Sequence, residues 1–176
     1  IRQQNRNGLL GRDPSVDGIK TGHTETAGYC LATSANRNGM RLISVVMGSS
    51  SFKAREDASA TLLNHGYTFY ETVKLRSRGD ALLSPRVFKG EADSVSAIVG
   101  RDVFVTVARG SAATLKSQTS VKEPLIAPLA ANAPIGELVV SDGAEVVARV
   151  PLLPARAVAE GGLWSRMTDT VSLWMR

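Results

Sequence analysis

The chain has 176 residues, 43% of them hydrophobic and 21% charged, with a formal net charge of +5 at pH 7. This is an ordinary globular composition, enough for one medium domain or two small ones, and no run of about 18 apolar residues offers a transmembrane span. The positive charge is dispersed, at nine Lys/Arg against six Asp/Glu in residues 1–74, ten against eight in 75–158 and two against two in the tail, so the basic cluster that nucleic-acid binding requires is missing and no nucleic-acid partner is expected.

The sequence begins at Ile1 without an initiator Met or a leader, and is expected to be the later part of a longer or processed chain. Residues 16–23, 27–36 and 40–48 read as three strands. The last two are joined through Asn36-Arg37-Asn38-Gly39, and Asn-Gly is a strong hairpin signal because both residues tolerate positive φ. An antiparallel meander results. The single cysteine, Cys30, falls in the second strand, excludes an intrachain disulfide, and reads as a buried thiol.

Over residues 51–73 the period becomes helical. Ala58, Leu62, Phe69 and Val73 recur on or near one stripe, and Ser50 or Ser51 is placed to cap the helix. Gly66 costs about 1 kcal/mol in a helix interior, which makes a break there plausible. Beyond Lys74 short β-type runs recur at 81–83, 95–99, 103–107, 138–140 and 146–150, with a second turn at Asp142-Gly143. Prolines fall between or at the ends of such runs, the pattern of a small β-sandwich over 75–158. Residues 159–176 form a third segment, with Leu163, Trp164, Met167, Val171, Trp174 and Met175 at helical spacing and Ser165, Asp169, Ser172 and Arg176 opposite. Its helical part is about 21 Å long. That is too short to cross a hydrocarbon core of about 30 Å, so the spacing and the tryptophans predict a helix lying in a membrane interface.

The chemistry lies in the first strand, as Val16-Asp17-Gly18-Ile19-Lys20-Thr21-Gly22-His23-Thr24. A Lys-Thr-Gly there sets a cation and a hydroxyl on a sheet edge beside a glycine that admits substrate backbone. Three residues alone say little. Together with Asn5-Arg6-Asn7-Gly8-Leu9-Leu10 upstream, and with GYCLATSA, RLISVVMG and FKAREDASATLLNHG downstream, the chain resembles the low-molecular-mass penicillin-binding D-alanyl-D-alanine carboxypeptidases, in register across residues 3–73.

The resemblance implies an α+β fold: residues 1–74 as antiparallel strands plus a helix of a β-lactamase/transpeptidase-like domain, 75–158 as the β-sandwich, and 159–176 as an amphipathic anchor. It implies no cofactor or metal, and no CxxC or HExxH spacing suggests one. The implied partners are peptidoglycan D-Ala-D-Ala stems, β-lactam antibiotics and the periplasmic surface of a bacterial inner membrane. By the same resemblance Lys20 and Thr21 would meet the substrate's terminal carboxylate, and Gly22 would permit close approach. The backbone N–H of His23 would line the oxyanion hole, and Arg6 and Arg55 would lie near the substrate end of the site.

The pattern departs from the family in one respect. The nucleophile motif Ser-x-x-Lys and the Ser-x-Asn motif should precede Lys-Thr-Gly, yet the 19 residues before Lys20 contain neither. Ser50-Ser51-Phe52-Lys53 and Ser34-Ala35-Asn36 spell them too late, where a helix cap and a strand approaching its hairpin are the better accounts. The expected function is therefore that of the later part of a carboxypeptidase, inactive alone. The alternative is a non-catalytic module that recognises peptidoglycan or the membrane. A serine β-lactamase is disfavoured by the hundred residues that follow the helix.

Overall fold

A computed structural model of the protein describes residues 3–174. In chain order the elements are α1 (Leu9–Arg12), β1 (Val16–Thr24), β2 (Gly28–Arg37), β3 (Met40–Ser49), α2 (Phe52–Phe69), β4 (Tyr70–Arg76), β5 (Ala81–Leu83), β6 (Val87–Phe88), β7 (Ala97–Val99), β8 (Val103–Ala108), a 3-10 turn at Ser111–Thr114, β9 (Lys116–Val121), β10 (Leu125–Ile126), β11 (Gly136–Asp142), β12 (Glu145–Pro154) and α3 (Leu163–Trp174). The class is α+β. The chain divides into two compact units, residues 1–72 with 106–109, and residues 73–105 with 110–176.

The first unit is an antiparallel sheet ordered β1-β2-β3 with α2 against one face. Arg37 pairs with Met40 across the two-residue loop, in which Asn38 (φ 52°) and Gly39 (φ 83°) both take the left-handed backbone this turn demands. The pleat then sorts the side chains. Leu31, Thr33 and Ala35 of β2 share a face with Leu42, Ser44 and Val46 of β3, and this face meets α2. The other face is open: Ile43, Val45 and Met47 are 61%, 63% and 74% exposed. Burying three such side chains would contribute about 1.5–3 kcal/mol each, so the unit leaves a face suited to a further layer.

Helix α2 departs from its expected form in two ways. It runs unbroken through Gly66, because a side chain there would collide with Leu42; the glycine lets helix and strand approach closely. It ends at Phe69, and residues 70–73 continue as strand. Ser51 caps it, its Oγ accepting from Ala54 N–H at 3.1 Å. Arg109 closes the other end, donating to the carbonyls of Tyr67, Thr68 and Tyr70 at 2.7, 3.1 and 3.2 Å, a cation where helix carbonyls carry partial negative charge. The buried stripe is Arg55, Ser59 and Leu63, whereas Leu62 and Phe69 of the expected stripe are half exposed.

The second unit is built on a sheet ordered β5-β7-β12-β11-β9, with β10 pairing β6 in parallel beyond it. Its core is apolar and rich in valine, from Val87, Val95, Val99, Val103, Leu138, Val140, Val150 and Leu152 among others. The second hairpin joins β11 to β12 through Gly143 and Ala144, with Gly143 at φ 59°. Gly136 lies opposite Val121 and Leu152 in the sheet, and a Cβ there would overlap the Ser120 carbonyl. Gly136→Ala is therefore expected to destabilise this unit by roughly 1–3 kcal/mol, the usual cost of forcing atoms into a packed site. A lower midpoint in urea unfolding checks it.

Candidate active site

Strand β1 is an edge strand, hydrogen-bonded on one side only, to β2. In register Lys20 lies opposite Ala32, and Ala32 opposite Val45, so Lys20 belongs to the open face of the sheet; it is exposed. Thr21 lies opposite Leu31 on the α2 side and is half buried. The pleat thus separates the two side chains, yet both line one cleft of about 310 Å3 along the strand, with Asn5, Asn7, Asp17 and Ile19. The Lys20 ammonium donates to the carbonyl of Thr21 at 2.8 Å. Gly22 is exposed opposite Cys30. The thiol, expected to be buried, is instead partly exposed, because the residue facing it has no side chain to cover it.

His23 is exposed, its ring stacked on Tyr29 with centroids 4.0 Å apart and Nδ1 3.1 Å from the Gly28 carbonyl. The imidazole is thus turned to the strand's own neighbours. Asp17, at the cleft wall, pairs with Arg41 at 2.8 Å, and the Ser34 hydroxyl together with Arg41 holds its carboxyl below the ordinary carboxylate range.

Arg55 is the largest of the fully buried side chains, 1% exposed. Its Nη1 donates to the carbonyls of Gly22 and Cys30, both at 3.2 Å, and its Nη2 to the carbonyl of Arg6 at 2.8 Å. The guanidinium also lies over the Phe52 ring, 4.9 Å from its centroid. Arg55 therefore fastens β1, β2 and the segment before α1 to one point and has no carboxylate partner among the described residues. Arg6 offers its backbone to this node, and its side chain is exposed. This segment and α1 are held further by Gly8 N–H, which donates to Glu56 at 2.9 Å, and by Arg12, whose two Nη atoms donate to Asp57, each at 3.1 Å.

Asn7 is a residue that the sequence reading did not single out. It is 5% exposed, its Oδ1 accepts from Leu9 N–H at 3.2 Å, and its Nδ2 has no partner among the described residues. A buried donor beside Lys20 and Thr21 calls for an acceptor. The signal was present in the Asn5-Arg6-Asn7 string, but no periodicity marks it.

The late imitations of the family motifs are otherwise engaged. The cap of α2 is Ser51 rather than Ser50, the serine of the Ser-x-x-Lys string; the lysine of that string, Lys53, pairs with Asp57 at 2.5 Å, and Ser34 is bound by Arg41. Among the described residues no three His, Cys, Asp or Glu side chains gather to hold a metal.

In the second unit, Leu163, Trp164, Met167, Val171 and Trp174 of α3 are all exposed, between 56% and 90%. Met175 lies outside the described residues. Among the described residues no helix is long and apolar enough to cross a membrane.

Two families share the chain. Residues 1–51 match the D-alanyl-D-alanine carboxypeptidase family and residues 70–160 match the family described as penicillin-binding protein 5, C-terminal domain. The chain is 40% identical over 175 residues to the D-alanyl-D-alanine carboxypeptidase DacA of Escherichia coli K12, covering 98% of this chain and 43% of that protein. With DacD of Salmonella typhimurium it shares 35% identity over 171 residues, 96% of this chain and 44% of the relative. The crystal structure of penicillin binding protein 5 from Haemophilus influenzae superposes with a TM-score of 0.81 at 39% identity, covering 91% of this chain and 47% of that one. The chain thus spans less than half the length of these proteins. With the Lys-Thr-Gly strand inside the first match and the sandwich inside the second, the chain belongs to the penicillin-binding D-alanyl-D-alanine carboxypeptidase family.

Proposed function

We propose that this chain supplies the Lys-Thr-Gly wall, the β-sandwich and the membrane anchor of a serine-type carboxypeptidase that removes the terminal D-alanine from peptidoglycan stems. The observation that carries the reading is the open cleft on the free edge of β1, where Lys20 and Thr21 stand together inside the residues that match the carboxypeptidase family. Lys20 places a cation and Thr21 a hydroxyl for the terminal carboxylate of D-Ala-D-Ala. The exposed Gly22 leaves room for the peptide, and the N–H of His23 donates to the carbonyl oxygen as it becomes an oxyanion. Such pre-aimed donors contribute about 2.7–4 kcal/mol to a transition state. β-Lactam antibiotics, which carry an acyl group and a carboxylate, would occupy the same cleft in the complete enzyme.

In this reaction a serine hydroxyl adds to the penultimate D-Ala carbonyl, the amide C–N bond breaks, and the terminal D-alanine leaves with a proton. Water then hydrolyses the ester. The serine must come from sequence ahead of Lys20, and the open face of Ile43, Val45 and Met47 supports a partnering layer there. Arg55 acts by position: it holds the Gly22 carbonyl, and through it the register of Lys20 to His23. The second reading is a non-catalytic module that recognises peptidoglycan or associates with the membrane, supported by the exposed apolar stripe of α3.

The exposed apolar stripe of α3, with Trp164 and Trp174 near its two ends, supports peripheral attachment to a bilayer, assigned to the periplasmic face of the inner membrane. Removing residues 163–176 is expected to abolish co-sedimentation with phospholipid vesicles; retained binding would show that the anchor lies elsewhere.

The reading frame upstream of the Ile1 codon tests the enzymatic proposal. Ser-x-x-Lys followed by Ser-x-Asn, in frame, is expected. A start codon directly before Ile1 leaves the non-catalytic reading.

A further inference from the structure

An interfacial helix is commonly pictured as a loose tether that orders on lipid. Here α3 is docked on its own unit by side-chain and backbone hydrogen bonds. Asp169 is 7% exposed, and its carboxylate accepts from Arg86 Nη2 at 2.9 Å and from the backbone N–H of Lys89 at 2.5 Å. Lys89 takes a left-handed backbone, φ 58°, uncommon for a side-chain-bearing residue. The loop after β6 is therefore bent at the residue whose N–H meets Asp169. Around this bond the same loop grips the approach to the helix: Gly161 N–H donates to the Lys89 carbonyl at 2.8 Å, Glu91 N–H to Ala159 at 2.9 Å, and Ser165 Oγ to Gly90 at 3.3 Å. The turned-in side is a regular stripe, Ser165, Asp169, Ser172 and Leu173, all buried or half buried.

The geometry points to Asp169 as a positioning residue that fixes the rotation of α3 about its axis, so that the helix presents Trp164, Met167, Val171 and Trp174 outward as a preformed lipid-binding face. This rests on the membrane reading above and adds that attachment is rigid. A buried carboxylate with a guanidinium and an N–H on it suits the role, since charge-assisted bonds are directional and removing the acid takes the partner from the Lys89 N–H and releases the Arg86 guanidinium to water. Pre-ordering removes the cost of fixing the helix when it meets the bilayer.

The test uses the whole chain, whose two tryptophans both lie on α3. Time-resolved tryptophan anisotropy without lipid reports helix motion directly. In wild type α3 is expected to tumble with the second unit, and Asp169→Ala to gain a fast local component. Asp169→Asn, which keeps an oxygen for the Lys89 N–H, and Arg86→Ala, which removes one donor, should fall between. Unchanged anisotropy in Asp169→Ala, with the thermal transition of the second unit unaltered, overturns the assignment. With vesicles of phosphatidylethanolamine and phosphatidylglycerol, wild type should show a blue-shifted emission, and Asp169→Ala should need about tenfold more lipid; equal affinity also overturns it. If wild type shows no blue shift while the anisotropy contrast holds, the membrane reading fails and the latch stands.

Discussion

Incubated with a fluorescent penicillin, the 176-residue polypeptide is expected to give no labelled band on a denaturing gel, while its fold remains intact by circular dichroism. Covalent capture needs a nucleophile with a base in reach, and neither late string supplies that pair. The lysine that would activate Ser50, Lys53, sits on Asp57; the neighbouring Ser51 spends its oxygen on the Ala54 N–H, and Ser34 is held by Arg41. Without the serine, Lys20, Thr21 and the His23 N–H can offer only reversible contacts. Loss of the nucleophile in a serine hydrolase costs on the order of 10^6 in kcat, so the labelling rate should fall below detection. A labelled band that survives denaturation would show that one of the late serines acts after all.

Arg55→Ala is expected to destabilise the first unit by about 3 kcal/mol or more, read as a lower urea midpoint. Three carbonyls, of Gly22, Cys30 and Arg6, would each lose a bond from a cation, worth about 1.5–3 kcal/mol apiece before the guanidinium's own desolvation is set against them. Packing against Phe52 is lost as well. The effect is expected to reach the candidate site: amide exchange at Gly22, His23 and Thr24 should quicken more than exchange in β3. Arg55→Lys should recover only part of the loss, because a compact ammonium cannot span acceptors on three segments as a planar fork does. Equal stability for Arg55→Ala would remove the node from the account of how β1 is held.

The parts of the fold that the sequence announces are those ruled by short-range chemistry. Asn38-Gly39 has one favourable turn available, and Ser51 precedes a helical run with an N–H three residues on. Both are local, so both are legible. The alternating valines of β8 are buried at Val103, Val105 and Val107, as a period of two requires.

What was hidden depends on distant partners. Apolar spacing selects Leu62 and Phe69 as the inner face of α2, yet the inner face carries Arg55 and Ser59. A buried arginine is affordable only because three carbonyls from elsewhere in the chain converge on it, and no window of sequence contains them. Gly66 shows the same logic in reverse. Its propensity argues for a break, but contact with Leu42 outweighs a cost of about 1 kcal/mol. Lys20 and Thr21 were legible as a motif, whereas the cleft they share with Asn7 required the β1 register and the segment pinned across α2. Likewise, the outward stripe of α3 follows from periodicity, but the burial of Asp169 follows from Arg86 and Lys89, some 80 positions earlier.

Arg109 carries a practical consequence for anyone wishing to produce the halves separately. A gene truncated after codon 74 keeps all of α2 yet discards the guanidinium that tethers its final carbonyls, and helix ends deprived of such partners fray. The missing piece is encoded beyond the point where the chain has already begun its second body, so no single cut yields two intact products. A useful expression boundary must either run past residue 109 or graft a substitute cap onto the end of the helix.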